Sequence, residues 1–404
     1  MHVLLTIAGL AILFYVFLDA FETILLPRRV ARTYRITTWF YRVTWRPWAW
    51  VCQRIPSPAR RESFLGYFGP LSLICLLALW AFGLICGFAL LQYGVGEHVQ
   101  LGGEKIGFAT LLYLSGSTFF TLGFGDVTPV SGVARALSVV EAGMGFAFLG
   151  VVVGYLPVIY ASFSRREAEI SLLDARAGSP PSAFELLTRF GNCPDHTVLD
   201  KIFSDWEHWA AEVLESHISY PVLCFFRSQH SNQSWLGALT TILDATTLVL
   251  VGLDATEEPD SSSAVGPTKL AIDYARRMAL KREHAKLTFA MARHAVVDLA
   301  QVMGIQYVPD FPDRLPPEEL ARLRNGLAEH GLRLPDHAEA EHKLKKLRSL
   351  YESYAQGLAR GLHLELPAFI RVMGRKDNWQ SGPWDAQIQS HTQDRNLGVA
   401  DDHF

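Results

Sequence analysis

Thr118-Phe119-Phe120-Thr121-Leu122-Gly123-Phe124-Gly125-Asp126 is the stretch on which the reading of this 404-residue chain turns. Two glycines alternate with bulky residues, threonines precede them, and a carboxylate follows. Successive backbone carbonyls point to one side only if the backbone angles alternate in hand, which glycine tolerates at little cost. Gly123 and Gly125 can supply that alternation, and Thr121 adds a carbonyl and a hydroxyl at the inner end. A row of carbonyls aimed at one axis can replace the water shell of a dehydrated cation. In this reading Leu122 and Phe124 point away from the axis and wedge the strand against a supporting helix. Asp126 stands at the outer mouth, where a ring of carboxylates attracts cations.

The flanks give this stretch its setting. The apolar run before it, Ile106–Phe120, is some 15 residues long. A helix needs roughly 20 residues to cross a hydrocarbon core, so this run fits a re-entrant pore helix rather than a span. Three other runs are long enough: Val3–Leu26, Phe64–Tyr93 and about Val133–Phe163. The pore helix over 106–120 runs inward, so its partly negative C-terminal end, closed by Thr118 and Thr121, faces the centre. Irregular backbone at membrane depth is tolerated only where protein or water lines it, which calls for a closed ring around residues 121–126.

In this setting the nonapeptide resembles the potassium-channel pore signature TxxTxGYGD. Residues 64–163 resemble the span–pore-loop–span unit of that family, of bacterial type. The resemblance implies a filter at Thr121, Leu122, Gly123, Phe124, Gly125 and Asp126, and passive, potassium-selective conduction. One pore loop per chain implies a homotetramer, for which C4 is the cyclic solution. The third span would line the inner cavity. It carries Gly143, Gly145, Gly150, Gly154 and Pro157, and Gly145 lies twenty residues after Gly125. A gate bending near Gly145 and closing near Pro157–Tyr160 is one reading of these residues; close helix packing at small residues is the other. Thr118 and Glu141, the latter early in the third span, are expected to support the filter. Two residues depart from the commonest signature. Phe124 replaces Tyr and loses any hydroxyl bond behind the filter. Leu122 replaces Val or Ile and is less stiff at Cβ. A weakly selective cation channel is the rival that these departures raise.

Charge fixes an expected orientation. Only His2 and Met1 precede the first apolar run, and Arg28 and Arg29 follow it directly, which reads as an anchor with its N-terminus outside rather than a cleaved signal. Segment 28–63 holds nine Arg, no Lys and one acid, Glu62. By the positive-inside rule it is cytoplasmic. With Trp39, Trp45, Trp48 and Trp50 among the arginines it suits a helix lying in the headgroup layer, where membrane lipids are its partners. Asp19 and Glu22, at i and i+3 near the end of span 1–27, are expected to pair with Arg28, Arg29 or Arg32.

Residues 164–404 carry a net charge of −7, against +4 for residues 1–163, and compose an acidic cytosolic part. An acidic balance argues against nucleic acid. Helical periodicity marks 196–218, 235–252, 268–303, 316–331 and 337–363, with a linker at 254–267 and a loose tail at 374–404. Asp244 interrupts the otherwise apolar 235–252, which reads as a buried core helix. The expected fold is therefore an all-α membrane protein: three transmembrane helices, a re-entrant helix with filter, and a helical cytosolic domain over 164–373. No Walker loop and no GxGxxG after a strand occurs, so no nucleotide cofactor is implied. His208, His217 and His230 with Asp244 match no metal spacing, and no metal beyond the transported K+ is expected. The five Cys lack a CxxC and read as free thiols. A cytosolic ligand or protein partner is left open, and so is a receptor or scaffold whose pore does not conduct. No catalytic constellation is present, which argues against an enzyme.

Overall fold

A computed structural model describes residues 2–24, 26, 35–96, 99–100, 107–191, 197–230, 232–255, 267–305 and 311–370. The chain divides into two compact units, Met1–Phe163 and Ser164–Phe404. Both are helical. The strands among the described residues are two-residue pairings, Val99–Gln100 with Thr128–Pro129 and Asp254–Ala255 with Leu332–Arg333, both antiparallel.

In the first unit α1 (His2–Ile24) packs along α3 (Pro58–Val95). Both are long and apolar enough to cross a membrane, as is α5 (Gly132–Ala177). Apolar burial cannot hold helices together in lipid, so close backbone approach must do it. Gly9 and Gly87 provide that approach: a Cβ on Gly9 would lie 2.8 Å from the Gly87 carbonyl oxygen and 2.7 Å from the Leu91 nitrogen. α3 is longer than the apolar run that announced it, because Pro58 starts the helix inside the arginine-rich segment. α5 likewise continues beyond Phe163 to Ala177.

α2 (Ile36–Cys52) buries Phe40, Trp45 and Ala49, and the Trp45 ring meets Phe68 of α3 edge-on at 4.8 Å. Its N-terminus is held by Asp19, which accepts from the Thr37 backbone N–H at 3.1 Å and the Thr37 hydroxyl at 2.7 Å. Free N–H groups at a helix start favour a carboxylate in that place. The Trp80 indole of α3 donates to the same Asp19 oxygen at 3.0 Å. Asp19 thus joins α1, α2 and α3 at one buried point. The arginine described beside Asp19 and Glu22 is Arg35, at 4.0 and 3.6 Å. Arg28, Arg29 and Arg32, expected from spacing, lie outside the described residues, as do Cys193, most of the 254–267 linker and the 374–404 tail.

The second unit is built around α8 (Trp235–Val251), nearly every residue of which is buried. α7 (Thr197–Ser219), α9 (Pro267–Val302) and the short α6 (Ala183–Phe190) pack against it, α10 (Pro317–Glu329) packs on α6, and α7 sets the Trp206 ring tilted against Trp209 at 4.5 Å. The single helix expected over 337–363 is two, α11 (Ala338–Ser349) and α12 (Glu352–Leu362). The break falls at Tyr351, whose backbone leaves the helical region (φ −133°) while its hydroxyl donates to Asp244 at 2.5 Å. Periodicity alone misses such a break, because the polar target sits on another helix. Cys75, Cys86 and Cys224 are free thiols. Among the described residues no cluster of His, Cys, Asp and Glu could hold a metal. His217 bonds Arg166, His208 the Ser204 carbonyl, and Asp244 pairs with Arg314.

Burial lifts the Asp244 carboxyl to about 6, with Arg314 and the Tyr351 hydroxyl limiting the rise. A carboxyl whose folded value lies above its unfolded one binds its proton more tightly in the folded chain. Its stabilising contribution is complete below about pH 4 and is lost as pH climbs through about 6. In thermal unfolding, wild type should lose stability relative to Asp244→Asn between about pH 4 and pH 6.5, by up to about 3 kcal/mol. A constant gap across that interval would refute the assignment.

Candidate functional site: a half-helix and a one-sided loop

α4 (Phe108–Phe119) is the short apolar helix; its start at Gly107 and end at Phe120 leave it 12 residues long, too short to span. One face carries Leu111 and Leu114, which form a small core with Ala89 of α3 and Val127 beyond the loop. The pairing of Val99 with Pro129 ties the segment before α4 to the segment after residue 126. The loop is thereby held at both ends.

The helix does not stop abruptly. The Thr121 N–H reaches the Thr118 carbonyl at 3.0 Å, and the Leu122 N–H reaches the Ser117 carbonyl at 2.7 Å. From there the backbone alternates. Thr121 has φ +56°, Gly123 φ +58° and Gly125 φ +79°, whereas Leu122 and Phe124 between them are not in the left-handed region. A Cβ on Gly123 or Gly125 would meet nothing within 4 Å, so backbone angle rather than crowding is what calls for glycine here. Thr121 adopts the same angle without glycine's freedom, at a cost of roughly 1–2 kcal/mol. Alternating hands at 121, 123 and 125 turn successive carbonyls toward one side.

Leu122 and Phe124 are not wedged against the chain's own pore helix as expected. They are 57% and 66% exposed. Only Phe119, at the end of α4, is buried, against Phe148 of α5 at 5.8 Å between rings. One chain supplies one wall of the loop and leaves the other open.

Thr118 supplies the carbonyl that receives Thr121. Glu141 is buried at the back of α4: the Gln92 amide of α3 donates to it at 3.2 Å, and the Ser115 hydroxyl of α4 faces its carboxyl. Asp126 is exposed and lies close to the Tyr113 hydroxyl of α4. Phe124 has no hydroxyl, so Tyr113 provides the phenol that links the loop's outer end to its helix. Gln92 and Ser115 escaped sequence reasoning, and a lone amide near the end of an apolar span was the available signal for Gln92. Tyr113 and Ser117 could be placed on this helix from the sequence, but which of them braces the loop could not be read.

α5 runs unbroken through Gly145 and Pro157. Gly145 is buried, and a Cβ there would overlap the Phe119 carbonyl oxygen. Gly143, Gly150 and Gly154 face open space. In this structure, then, Gly145 lets α5 approach the end of the pore helix, which is the packing role rather than a bend.

A half-helix that ends within an apolar unit, a loop of alternating hand, and long apolar helices on both sides make up the surroundings of residues 121–126. Residues 74–160 match a family model described as "Ion channel", and the family is not enzymatic. The chain is also 22% identical over 217 residues to the "Uncharacterized membrane protein YdjJ" of Bacillus subtilis (strain 168). That similarity covers 53% of this chain and 62% of the relative, so less than two thirds of the relative's length is spanned. No solved structure matches the chain. The protein is a membrane protein with an ion-channel domain and three candidate spans.

Gly145→Ala should drive a methyl into the Phe119 carbonyl and destabilise the purified protein by about 1–3 kcal/mol. Gly143→Ala, with open space at its Cβ, should be neutral or should gain up to about 1 kcal/mol of helix propensity. Equal thermal shifts for the two variants would count against the packing role of Gly145.

Proposed function

We propose that this chain is one quarter of a potassium-selective channel in the cell membrane. The observation that carries the proposal is the alternation of left-handed angles at Thr121, Gly123 and Gly125 directly after a half-helix. Carbonyls turned one way need an axis to face, and a dehydrated cation on that axis needs carbonyls from several sides. Four copies around a C4 axis satisfy both needs. The exposed Leu122 and Phe124, and the apolar faces of α5 at Val139, Phe146 and Val153, then have neighbours to pack against. The negative end of α4 points at the same axis and favours a cation there.

Ion flow is passive and follows the electrochemical gradient. The third span lines the cavity and gates it, with Pro157, which cannot donate to the helix ladder, as the place where α5 gives way. The arginines of 28–63 face the cytoplasm, and residues 164–404 regulate the pore from that side. No span carries a ladder of arginines, so voltage is not the proposed stimulus.

Purified protein in liposomes should carry a potassium flux, and Gly123→Ala or Gly125→Ala should abolish it. A β-carbon in the left-handed region costs about 1–2 kcal/mol per chain, paid four times in the ring. The reversal potential between potassium and sodium solutions tests selectivity. A value near zero would favour the weakly selective channel that Leu122 and Phe124 raise. No flux, with both glycine variants behaving as wild type, would favour a membrane-anchored receptor with a closed pore.

A further inference from the structure

α2 has two faces. Its inner face is spent on α1 and α3. Among its exposed residues, which also include Thr38, Pro47 and Val51, six fall at the spacing of a single helical stripe: Trp39, Arg42, Val43, Arg46, Trp50 and, just past its end, Arg54. Trp39 and Trp50 are 62% and 59% exposed. The stripe therefore presents apolar and cationic groups in alternation along about three turns. The Arg54 guanidinium lies over the Trp50 ring, 3.0 Å from its centroid, so cation and aromatic ring share one place on the surface. No acid occurs from Ile36 to Arg61, and Arg60 and Arg61 at the start of α3 extend the positive field. A solvated helix face has no use for two exposed indoles, and an apolar contact has no use for three arginines. A surface that is apolar at one depth and anionic just above it has use for both.

We propose that this face of α2 is a docking site for anionic phospholipid headgroups. Trp39, Val43 and Trp50 rest at the acyl boundary, and Arg42, Arg46 and Arg54 take the phosphates. Phosphate suits guanidinium because two N–H groups can meet two oxygens. The inner face converts lipid occupancy into a fixed corner. Asp19 holds the N-terminus of α2 to Trp80, and the Trp48 indole donates to the Phe64 carbonyl at 3.1 Å. Lipid on the outer face thus loads the junction of α1, α2 and α3. The inference rests on the membrane reading of these helices and is independent of conduction.

Native mass spectrometry of the full-length protein, exchanged from mixed micelles of phosphatidylglycerol and phosphatidylcholine, tests it without any flux measurement. Wild type should retain phosphatidylglycerol in preference. Each arginine near an anionic surface contributes about a five-fold factor, so Arg42→Gln/Arg46→Gln/Arg54→Gln should lower that preference by up to about a hundred-fold. The corresponding triple Lys variant should keep most of the preference, and Arg282→Gln, the loss of one charge at an exposed site of α9, should leave it unchanged. Trp39→Ala/Trp50→Ala should lower retention of both lipids alike. The proposal is overturned if the triple Gln variant keeps the wild-type preference, if inorganic phosphate displaces the lipid as well as excess lipid does, or if the variant falls apart into single chains with its lipid ratio intact. The last result would make the face a contact between copies of this chain.

Discussion

Backbone polar groups at membrane depth must be satisfied, and the loop of residues 121–126 meets that demand in an unusual way. Its first two N–H groups are taken by carbonyls of α4, through Thr118 and Ser117. Left-handed angles at Thr121, Gly123 and Gly125 alternate with ordinary ones, and a Cβ on either glycine would meet nothing within 4 Å. Each unsatisfied carbonyl in hydrocarbon would cost several kcal/mol, so a loop at that depth is stable only where an ion, water or a protein group stands opposite. Everything else in the first unit serves to keep that loop in place. α4 is anchored to α3 through Leu111, Leu114 and Ala89, Glu141 backs it, and the short strand pairing closes the outer side.

Close backbone approach does the rest. Gly9 against Gly87 sets α1 on α3, and Gly145 sets α5 on the last carbonyl of α4. In lipid there is no hydrophobic gain from covering an apolar face, so these contacts rest on dispersion and fit. One methyl group at the wrong glycine is therefore felt more than the loss of a large exposed side chain on the lipid side. The same reasoning separates glycines that look alike in sequence. Gly143 and Gly145 are two residues apart, yet only the second faces the pore helix.

The spans, the half-helix and the alternation of the loop could be read from the sequence because each rests on a local rule. Length and hydropathy mark spans, and glycine at alternate positions marks a backbone that changes hand. The partners could not be read, because they are set by packing between distant segments. Asp19 was expected to pair with Arg28, Arg29 or Arg32, which lie outside the described residues; what could not be read is that it also meets Arg35, a helix start at Thr37 and the indole of Trp80, sixty-one residues away. The helix break at Tyr351 follows from Asp244, more than a hundred residues earlier. Leu122 and Phe124, expected to wedge the strand against its helix, are instead exposed among the described residues.

α5 shows how one helix can serve two solvents. Up to about Phe163 it is apolar and largely uncovered, as a helix facing lipid or sister helices can be. From Arg166 on, the same helix is buried in the ordinary sense. The Arg166 guanidinium donates to the carbonyls of Leu223 and Phe226 at 3.0 and 2.9 Å, pairs with Glu167 at 2.9 Å, and meets His217 at 3.0 Å. Burial and the positive charge of Arg166 hold His217 well below its usual range, so the imidazole is neutral and can accept. A guanidinium this enclosed is tolerated only because each of those acceptors is in place. The same helix is thus held by close packing at Gly145 and by charged hydrogen bonds at Arg166.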